Sequence, residues 1–133
     1  PICCVGESEE ERAEGRTKDR LDRQVEEAIG GLAPESVAGM VVAYEPIWAI
    51  GTGQAATAED AQEACSWIRE IVGRVAGAEA AATVRIQYGG SVTGENTGDL
   101  MSGSDVDGLL VGGASLDASA LVAIVKAASH AAG

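Results

Sequence analysis

The 133-residue sequence is poor in aromatic and basic residues. It has two tryptophans, two tyrosines and no phenylalanine, and 9 Lys and Arg stand against 21 Asp and Glu, which gives a net charge of −12. A charge of this sign repels phosphate backbones and anionic membrane surfaces, so neither nucleic acid nor a membrane is an expected partner. Any site for a small phosphate must therefore be local, made by backbone N–H groups and helix N-termini.

Long apolar runs are also missing. No stretch of eighteen or more apolar residues could form a transmembrane helix, and the first residues lack the basic segment and cleavage site of a secretory signal. We therefore expect a soluble, cytoplasmic protein. The length and the hydrophobic content of 46% fit one folded unit over residues 1–133. Because Pro1 stands directly before a strand-like run, we expect the sequence to be a piece of a longer one.

Histidine and cysteine are scarce. The single histidine, His130, lies near the end of a predicted C-terminal helix. We expect it to act as a cation at the negative end of the helix dipole rather than as a catalytic base. The three cysteines are Cys3, Cys4 and Cys65. Their odd number, and a neighbouring pair that points to opposite faces of a strand, predict no disulfide framework, metal site or other cofactor. We expect all three to be small buried residues in a reducing compartment.

One pattern occurs four times: an apolar run, a glycine-bearing loop and a helix-like segment. The apolar runs are residues 2–5, 40–44, 84–88 and 106–111. The first helix begins near Thr17, and its apolar stripe is Leu21, Val25, Ala28 and Ile29. The second begins at Thr57, which forms a capping-box pattern with Asp60, the third is a short helix around 96–101, and the fourth is C-terminal.

Strands that alternate with helices predict a parallel α/β fold. Each unit has about 33 residues, so eight units would give roughly 265, close to the size of a (β/α)₈ barrel. Four parallel βα units are half of such a barrel. A small, open, doubly wound sheet is the alternative that this pattern leaves open.

The loops after the strands lie at one edge of such a sheet, where sites are built. Two glycine doublets, Gly89-Gly90 and Gly112-Gly113, each follow a strand and precede a helix, which predicts N–H groups that converge on one anion. Residues 51–56 fit the pattern G-x-G-x-x-A. However, six residues separate them from the strand, whereas a dinucleotide-binding loop starts directly at the strand end.

Glu45 is a carboxylate between two apolar runs. Pro46 prevents the strand ladder from continuing, and the apolar residues 47–50 would exclude water from the carboxylate when the loop closes, which raises its pKa and strengthens it as a base. A salt bridge at the rim of the sheet is the alternative role. We expect Trp48 to lie under a mobile loop or at its hinge, and packing in the core is an equal alternative for it. We expect Trp67 to contribute only to packing.

Four segments carry a resemblance to a known family. They are CVGE at 4–7, YEPIWAIGTG at 44–53, YGGSV at 88–92 and DGLLVGGAS at 107–115. Together they resemble the C-terminal half of triosephosphate isomerase, which comprises strands five to eight of a TIM barrel. This enzyme is a standard example of catalysis in such a barrel. The resemblance implies interconversion of dihydroxyacetone phosphate and glyceraldehyde 3-phosphate by proton transfer through an enediolate.

The resemblance also implies a role for each matched residue. Glu45 would be the catalytic base, and Ile50 and Leu110 would form an apolar clamp over it. The backbone donors to the substrate phosphate would be Gly51, Ser91, Gly112 and Gly113. Gln54-Ala55-Ala56 departs from the family, where a lysine often follows the glycines, and the glycines of residues 93–98 predict a short or frayed helix.

The family places further groups in its N-terminal half: a lysine, an asparagine, an electrophilic histidine and the main dimer loop. The implied partners are therefore a phosphorylated triose and, for the full-length family, a second subunit in a homodimer. For this chain they are an N-terminal half-barrel or a second copy. Two alternatives stay open, a non-catalytic half-barrel that self-associates and at most binds phosphate, and another phosphate-binding barrel.

Overall fold

A computed structural model describes residues 1–131. Its strands are β1 Ile2–Val5, β2 Val41–Tyr44, β3 Arg85–Tyr88 and β4 Gly108–Leu109. Its α-helices are α1 Glu9–Ala13, α2 Thr17–Ile29, α3 Pro34–Ala38, α4 Ala58–Ala76, α5 Ala78–Thr83, α6 Thr97–Met101 and α7 Ala118–Ala131. Two 3₁₀ segments, Ile47–Ala49 and Gly113–Leu116, lie in the loops after β2 and β4.

The four strands form one parallel sheet in the order β1-β2-β3-β4. The register aligns the last residues of all four strands, Val5, Tyr44, Tyr88 and Leu109. In the part of the chain described, the order does not reverse as it does in a doubly wound sheet. The predicted α/β fold is confirmed, and its sequential order is that of half of a TIM barrel.

The core lies on one face of the sheet, against α2 and α4. Side chains alternate between the two faces along each strand, and the residues on the covered face are buried: Val5, Val42, Tyr44, Ile86 and Tyr88. The helices contribute Leu21, Val25, Ile29, Ala61, Ala64, Cys65, Ile68, Ile71 and Val72. Ala28 was expected in this stripe, but it is exposed. On the opposite face, which we call the open face, Ile2, Cys4 and Arg85 are exposed.

The predicted strand over 106–111 is wrong in extent, since only Gly108–Leu109 pairs as a strand. Before it, the Ile86 N–H donates to Oδ2 of Asp107 at 2.8 Å instead of to a main-chain carbonyl. After it, Leu110 still donates to the carbonyl of Tyr88 at 2.9 Å, and the chain then turns into Gly113–Leu116. The strands predicted over 40–44 and 84–88 each begin one residue later than expected.

The expectation that all three cysteines are buried is also wrong. Cys65 is buried, which raises the pKa of its thiol to about 12. Cys3 is half-buried, and Cys4 is exposed because strand alternation places it on the open face.

The predicted start of α2 at Thr17 is confirmed, and α4 begins at Ala58, one residue after the predicted Thr57. Thr57 caps α4 in a reciprocal capping box with Asp60, whose N–H donates to Thr57 Oγ1 at 3.1 Å. α6 is as short as expected, with five residues. The helices α1, α3 and α5 were not predicted, because segments of five or six residues are too short to show a helical period. Within residues 1–131, no helix combines the length and the apolar character that a membrane span requires.

Candidate active site

The strand register brings three loop-starting residues to one edge of the sheet. Glu45 donates its N–H to the carbonyl of Val5 at 2.7 Å, Gly89 to Tyr44 at 2.8 Å, and Leu110 to Tyr88 at 2.9 Å. These bonds extend the ladder by one residue past each strand. By alternation, Glu45, Gly89 and Leu110 therefore share the open face with Cys4.

The Glu45 side chain occupies space that the neighbouring glycine leaves free. A Cβ atom at Gly89 would lie 2.6 Å from Cγ of Glu45 and 3.1 Å from its Oε1. Glu45 is half-buried, and none of the ion pairs within residues 1–131 includes it, so the salt-bridge alternative finds no partner there. The pKa of the nearby Cys4 thiol is raised to about 11, first by partial desolvation of the sulfur on the exposed residue and then by a hydrogen bond to Glu45 and the charge of that carboxylate.

A cavity of about 510 Å³ opens at this edge of the sheet. Its volume lies in the range of small-molecule sites. Its walls include every residue that the sequence singled out for the site: Glu45, Ile50, Gly51, Ser91, Leu110, Gly112 and Gly113. The cavity therefore brings one carboxylate together with the loops that follow β2, β3 and β4.

The two glycine loops are held by hydrogen bonds to their own residues and, for the first loop, to the segment after β2. Ser91 donates its hydroxyl to the carbonyl of Ala49 at 3.1 Å, and Asn96 donates its amide to the carbonyl of Ser91 at 2.9 Å. Gly112 accepts from both the N–H and the hydroxyl of Ser115, at 2.9 and 2.6 Å. The second loop thus passes into the 3₁₀ turn Gly113–Leu116, and N–H groups at the start of such a turn have no partner inside it.

Residues 50–56, which we call the lid loop, join the 3₁₀ segment Ile47–Ala49 to α4. Gly51 has φ of +67° and lies in the left-handed region that favours glycine. Ile50, half of the expected clamp, is 48% exposed, whereas Leu110 is half-buried. At the far end of the loop, the Ala56 N–H donates to the hydroxyl of Tyr88 at 3.0 Å.

Glu7 is a functional candidate to which the sequence assigned no role. Its side chain is fully buried, and its Oε1 accepts from the Tyr44 hydroxyl at 3.0 Å and from the Trp48 indole N–H at 2.9 Å. Its other oxygen, Oε2, has no partner among the residues described. The signal was present, since Glu7, like Glu45, is a carboxylate just past a strand end. Burial and Glu7 together raise the pKa of the Tyr44 hydroxyl.

Of the two roles weighed for Trp48, core packing is present, and a place under a mobile loop or at its hinge stays a prediction. The half-buried ring packs against the core, and its N–H is bonded to Glu7 at the start of the lid loop. Trp67 also packs against the core, as expected, with the Lys18 ammonium 5.6 Å from its ring centroid. His130 lies exposed in the last turn of α7, as predicted, with Nδ1 2.6 Å from the carbonyl of Lys126. Over residues 1–131, no cluster of three or more His, Cys, Asp or Glu residues could hold a metal.

Comparison with known proteins gives consistent matches. A sequence model of the family described as triosephosphate isomerase matches residues 1–128. The chain is 55% identical over 126 residues to the triosephosphate isomerase of Moorella thermoacetica and 52% identical over 126 residues to that of Carboxydothermus hydrogenoformans. These alignments cover 95% of this chain, and the chain spans about half (50%) of the length of each relative. The chain belongs to the triosephosphate isomerase family.

Proposed function

We propose that residues 1–133 are one unit, the C-terminal half of a triosephosphate isomerase, with β1 to β4 as strands five to eight of the barrel. The observation that carries the proposal is that Glu45 shares one cavity with the glycine loops after β3 and β4. The family match over residues 1–128 and the half-length coverage of both relatives support it.

In this proposal Glu45 is the base. Its carboxylate takes a proton from C1 of dihydroxyacetone phosphate, which leaves an enediolate. The hydroxyl proton on the C1 oxygen passes to the C2 oxygen, and the carboxylate returns its proton to C2 to give glyceraldehyde 3-phosphate. The space beside Gly89 lets the carboxylate enter the cavity without a clash. No atoms other than protons change place, so the carboxylate is regenerated in each turnover.

The substrate phosphate would be bound by backbone N–H groups at Gly51, Ser91, Gly112 and Gly113. A chain with a net charge of −12 repels an anion at long range, so the binding must come from these oriented local dipoles. Closure of the lid loop would carry Gly51 to the phosphate. It would also bring Ile50 and Leu110 over the carboxylate, excluding water from the enediolate.

The remaining groups are assigned to an N-terminal half. The family resemblance places there the lysine, the asparagine, the histidine that polarises the carbonyl, and the dimer loop. We therefore expect no isomerase activity from residues 1–133 alone. The complete enzyme would be a cytoplasmic homodimer acting on a phosphorylated triose.

Activity measured with and without a complementing half tests the proposal. The complement is the half of the Moorella thermoacetica relative that this chain does not match, added during refolding from denaturant. We expect isomerase turnover only when both halves are present. Substantial turnover by residues 1–133 alone, lost on Glu45→Gln substitution, would show that the second half is not needed.

The open face supports a second candidate, a non-catalytic half-barrel that pairs with another copy. Ile2 is 52% exposed there, beside the exposed Cys4, and β1 and β4 are the edge strands of the sheet. Apolar sheet faces and open edges pair readily with other chains. Sedimentation velocity at micromolar concentration distinguishes the two candidates, because a stable monomer contradicts self-association.

A further inference from the structure

Arg12 is a cation that contacts one residue before the lid loop and one residue after it, Trp48 and Asp60. It lies on α1, whose start is fixed by a capping box: Ser8 donates its N–H to Oε2 of Glu11 at 2.9 Å and accepts the Glu11 N–H at 3.2 Å. The Arg12 N–H in turn donates to the carbonyl of Ser8 at 3.0 Å. This short helix therefore holds the Arg12 backbone in one orientation beside the end of β1.

The first contact of Arg12 is with Trp48, two residues before the lid loop. Its guanidinium carbon lies over the Trp48 ring, 4.3 Å from the ring centroid, within the range of a cation–π contact. The indole N–H is bound to Glu7 Oε1, which is also 4.0 Å from Nη1 of Arg12. The ring is thus fixed both at its edge and on its face.

The second contact is with Asp60, in the first turn of the helix that follows the lid loop. Nη2 of Arg12 donates to Oδ2 of Asp60 at 2.9 Å, and the same oxygen accepts the Thr57 N–H at 3.2 Å. Asp60 belongs to the capping box that starts α4. Burial opposes ionisation of this carboxyl, but the Thr57 N–H and Arg12 outweigh it and lower the pKa of Asp60. The Asp60 carboxylate is therefore ionised at neutral pH and pairs with Arg12.

We propose that Arg12 is a positioning residue that couples the two ends of the lid loop through simultaneous contacts with Trp48 and Asp60. Trp48 lies two residues before the loop begins at Ile50, and Asp60 lies in the first turn of the helix that follows it. Release of either contact frees the guanidinium and loosens the other end. This inference deepens the proposed function and rests on it where it treats residues 50–56 as a lid.

Amide hydrogen exchange on residues 1–133 tests the coupling without any substrate. The reporters are Ala49, whose N–H donates to Pro46, and Asp60, whose N–H donates to Thr57. In Arg12→Met we expect exchange at both reporters to rise about tenfold, the size of a lost cation–π or charged hydrogen bond. The matched control is Arg16→Met, which removes a surface arginine paired with Glu14 and leaves both reporters unchanged.

A second variant separates coupling from simple structural support. Asp60→Asn is expected to raise exchange at Ala49, across the loop, when Arg12 is present and to have no such effect in Arg12→Met. Rescue by Arg12→Lys is expected only at Asp60, because an ammonium pairs with a carboxylate but does not stack as a plane. The proposal is overturned if Arg12→Met leaves either reporter unchanged, if Asp60→Asn acts at Ala49 without Arg12, or if the amide of Ile68 in the middle of α4 accelerates equally.

The reconstituted enzyme gives an independent readout. There Arg12→Met is expected to lower kcat more than it raises KM, because a loosened lid closes less often over bound substrate. An absence of turnover with the unsubstituted chain contradicts the proposed function, whereas the exchange results alone decide the coupling.

Discussion

Gly89 makes room for the carboxylate of Glu45: a Cβ atom at position 89 would lie 2.6 Å from Glu45 Cγ. Both residues extend the sheet ladder by one step, so neither backbone can withdraw without breaking a hydrogen bond. The glycine is therefore part of the site, because it sets the position of the carboxylate above the sheet. On the other side of Glu45, a Cβ atom at Gly6 would lie 1.9 Å from the Glu45 carbonyl oxygen, so a side chain has no room there either.

Gly89→Ala is expected to displace the Glu45 carboxylate and to lower isomerase activity of the reconstituted enzyme by about 10²-fold, since small misplacements of a base are costly. Gly98→Ala is the control, because a Cβ there meets nothing within 4 Å. Turnover and urea unfolding are measured for both variants. Equal activities at equal stability would show that Gly89 does not position the base.

Glu7 is expected to be a major source of stability for the start of the lid loop. Glu7→Leu leaves two donors, the Tyr44 hydroxyl and the Trp48 indole N–H, without their acceptor, and should cost about 2–4 kcal/mol of unfolding free energy. Glu7→Gln keeps an acceptor oxygen and should cost less. Urea denaturation measures both, with Glu9→Gln on the exposed side of α1 as control. A loss for Glu7→Leu no larger than the control would contradict this role.

Asp105 should make stability depend on acid pH. Burial opposes its ionisation, but hydrogen bonds from Gln62 and Arg69 prevail and hold the pKa of Asp105 below its usual value. Because the pKa of Asp105 is lower in the folded protein than its value of about 3.9 in the unfolded chain, the ionised carboxylate stabilises the fold above that pH. This stability is lost as the pH falls through the pKa of the folded state. Asp105→Asn should therefore flatten the fall in unfolding free energy below about pH 4.

The control for Asp105 is Asp19→Asn, at an exposed position on α2. Some acid dependence should persist in Asp105→Asn, because the pKa of Asp60 is lowered too. An unchanged slope would mean that the Arg69–Asp105 pair, 2.7 Å between Nε and Oδ1, contributes nothing through ionisation.

Cys4 offers a chemical probe of the Glu45 carboxylate. Its thiol is exposed, yet a pKa of about 11 leaves little thiolate at pH 8, so alkylation should be slow there and accelerate toward pH 11. Glu45→Gln removes a neighbouring negative charge and should speed alkylation at pH 8. Rates are read by mass spectrometry in a Cys3→Ala background, with buried Cys65 as internal reference. An unchanged rate would indicate that the two side chains do not interact.

The sequence predicted those features that repeat at short range. Apolar runs and capping residues located the strands, α2 and α4, and glycines after the strands located the cavity. Cys4 was misplaced because composition does not reveal which face of a strand is covered. The Arg12, Trp48 and Asp60 contacts escaped prediction because they join residues 36 and 48 positions apart, which only the folded chain brings together.

The most direct test of the account is isomerase turnover by the chain reconstituted with the complementing half, compared between Glu45→Gln and the surface control Glu63→Gln. If Glu45 is the base, Glu45→Gln lowers kcat by about 10³-fold with both halves still associated, and Glu63→Gln leaves it unchanged. Turnover that survives in Glu45→Gln within a few-fold of the control would contradict the assignment of the base and the proposed mechanism with it.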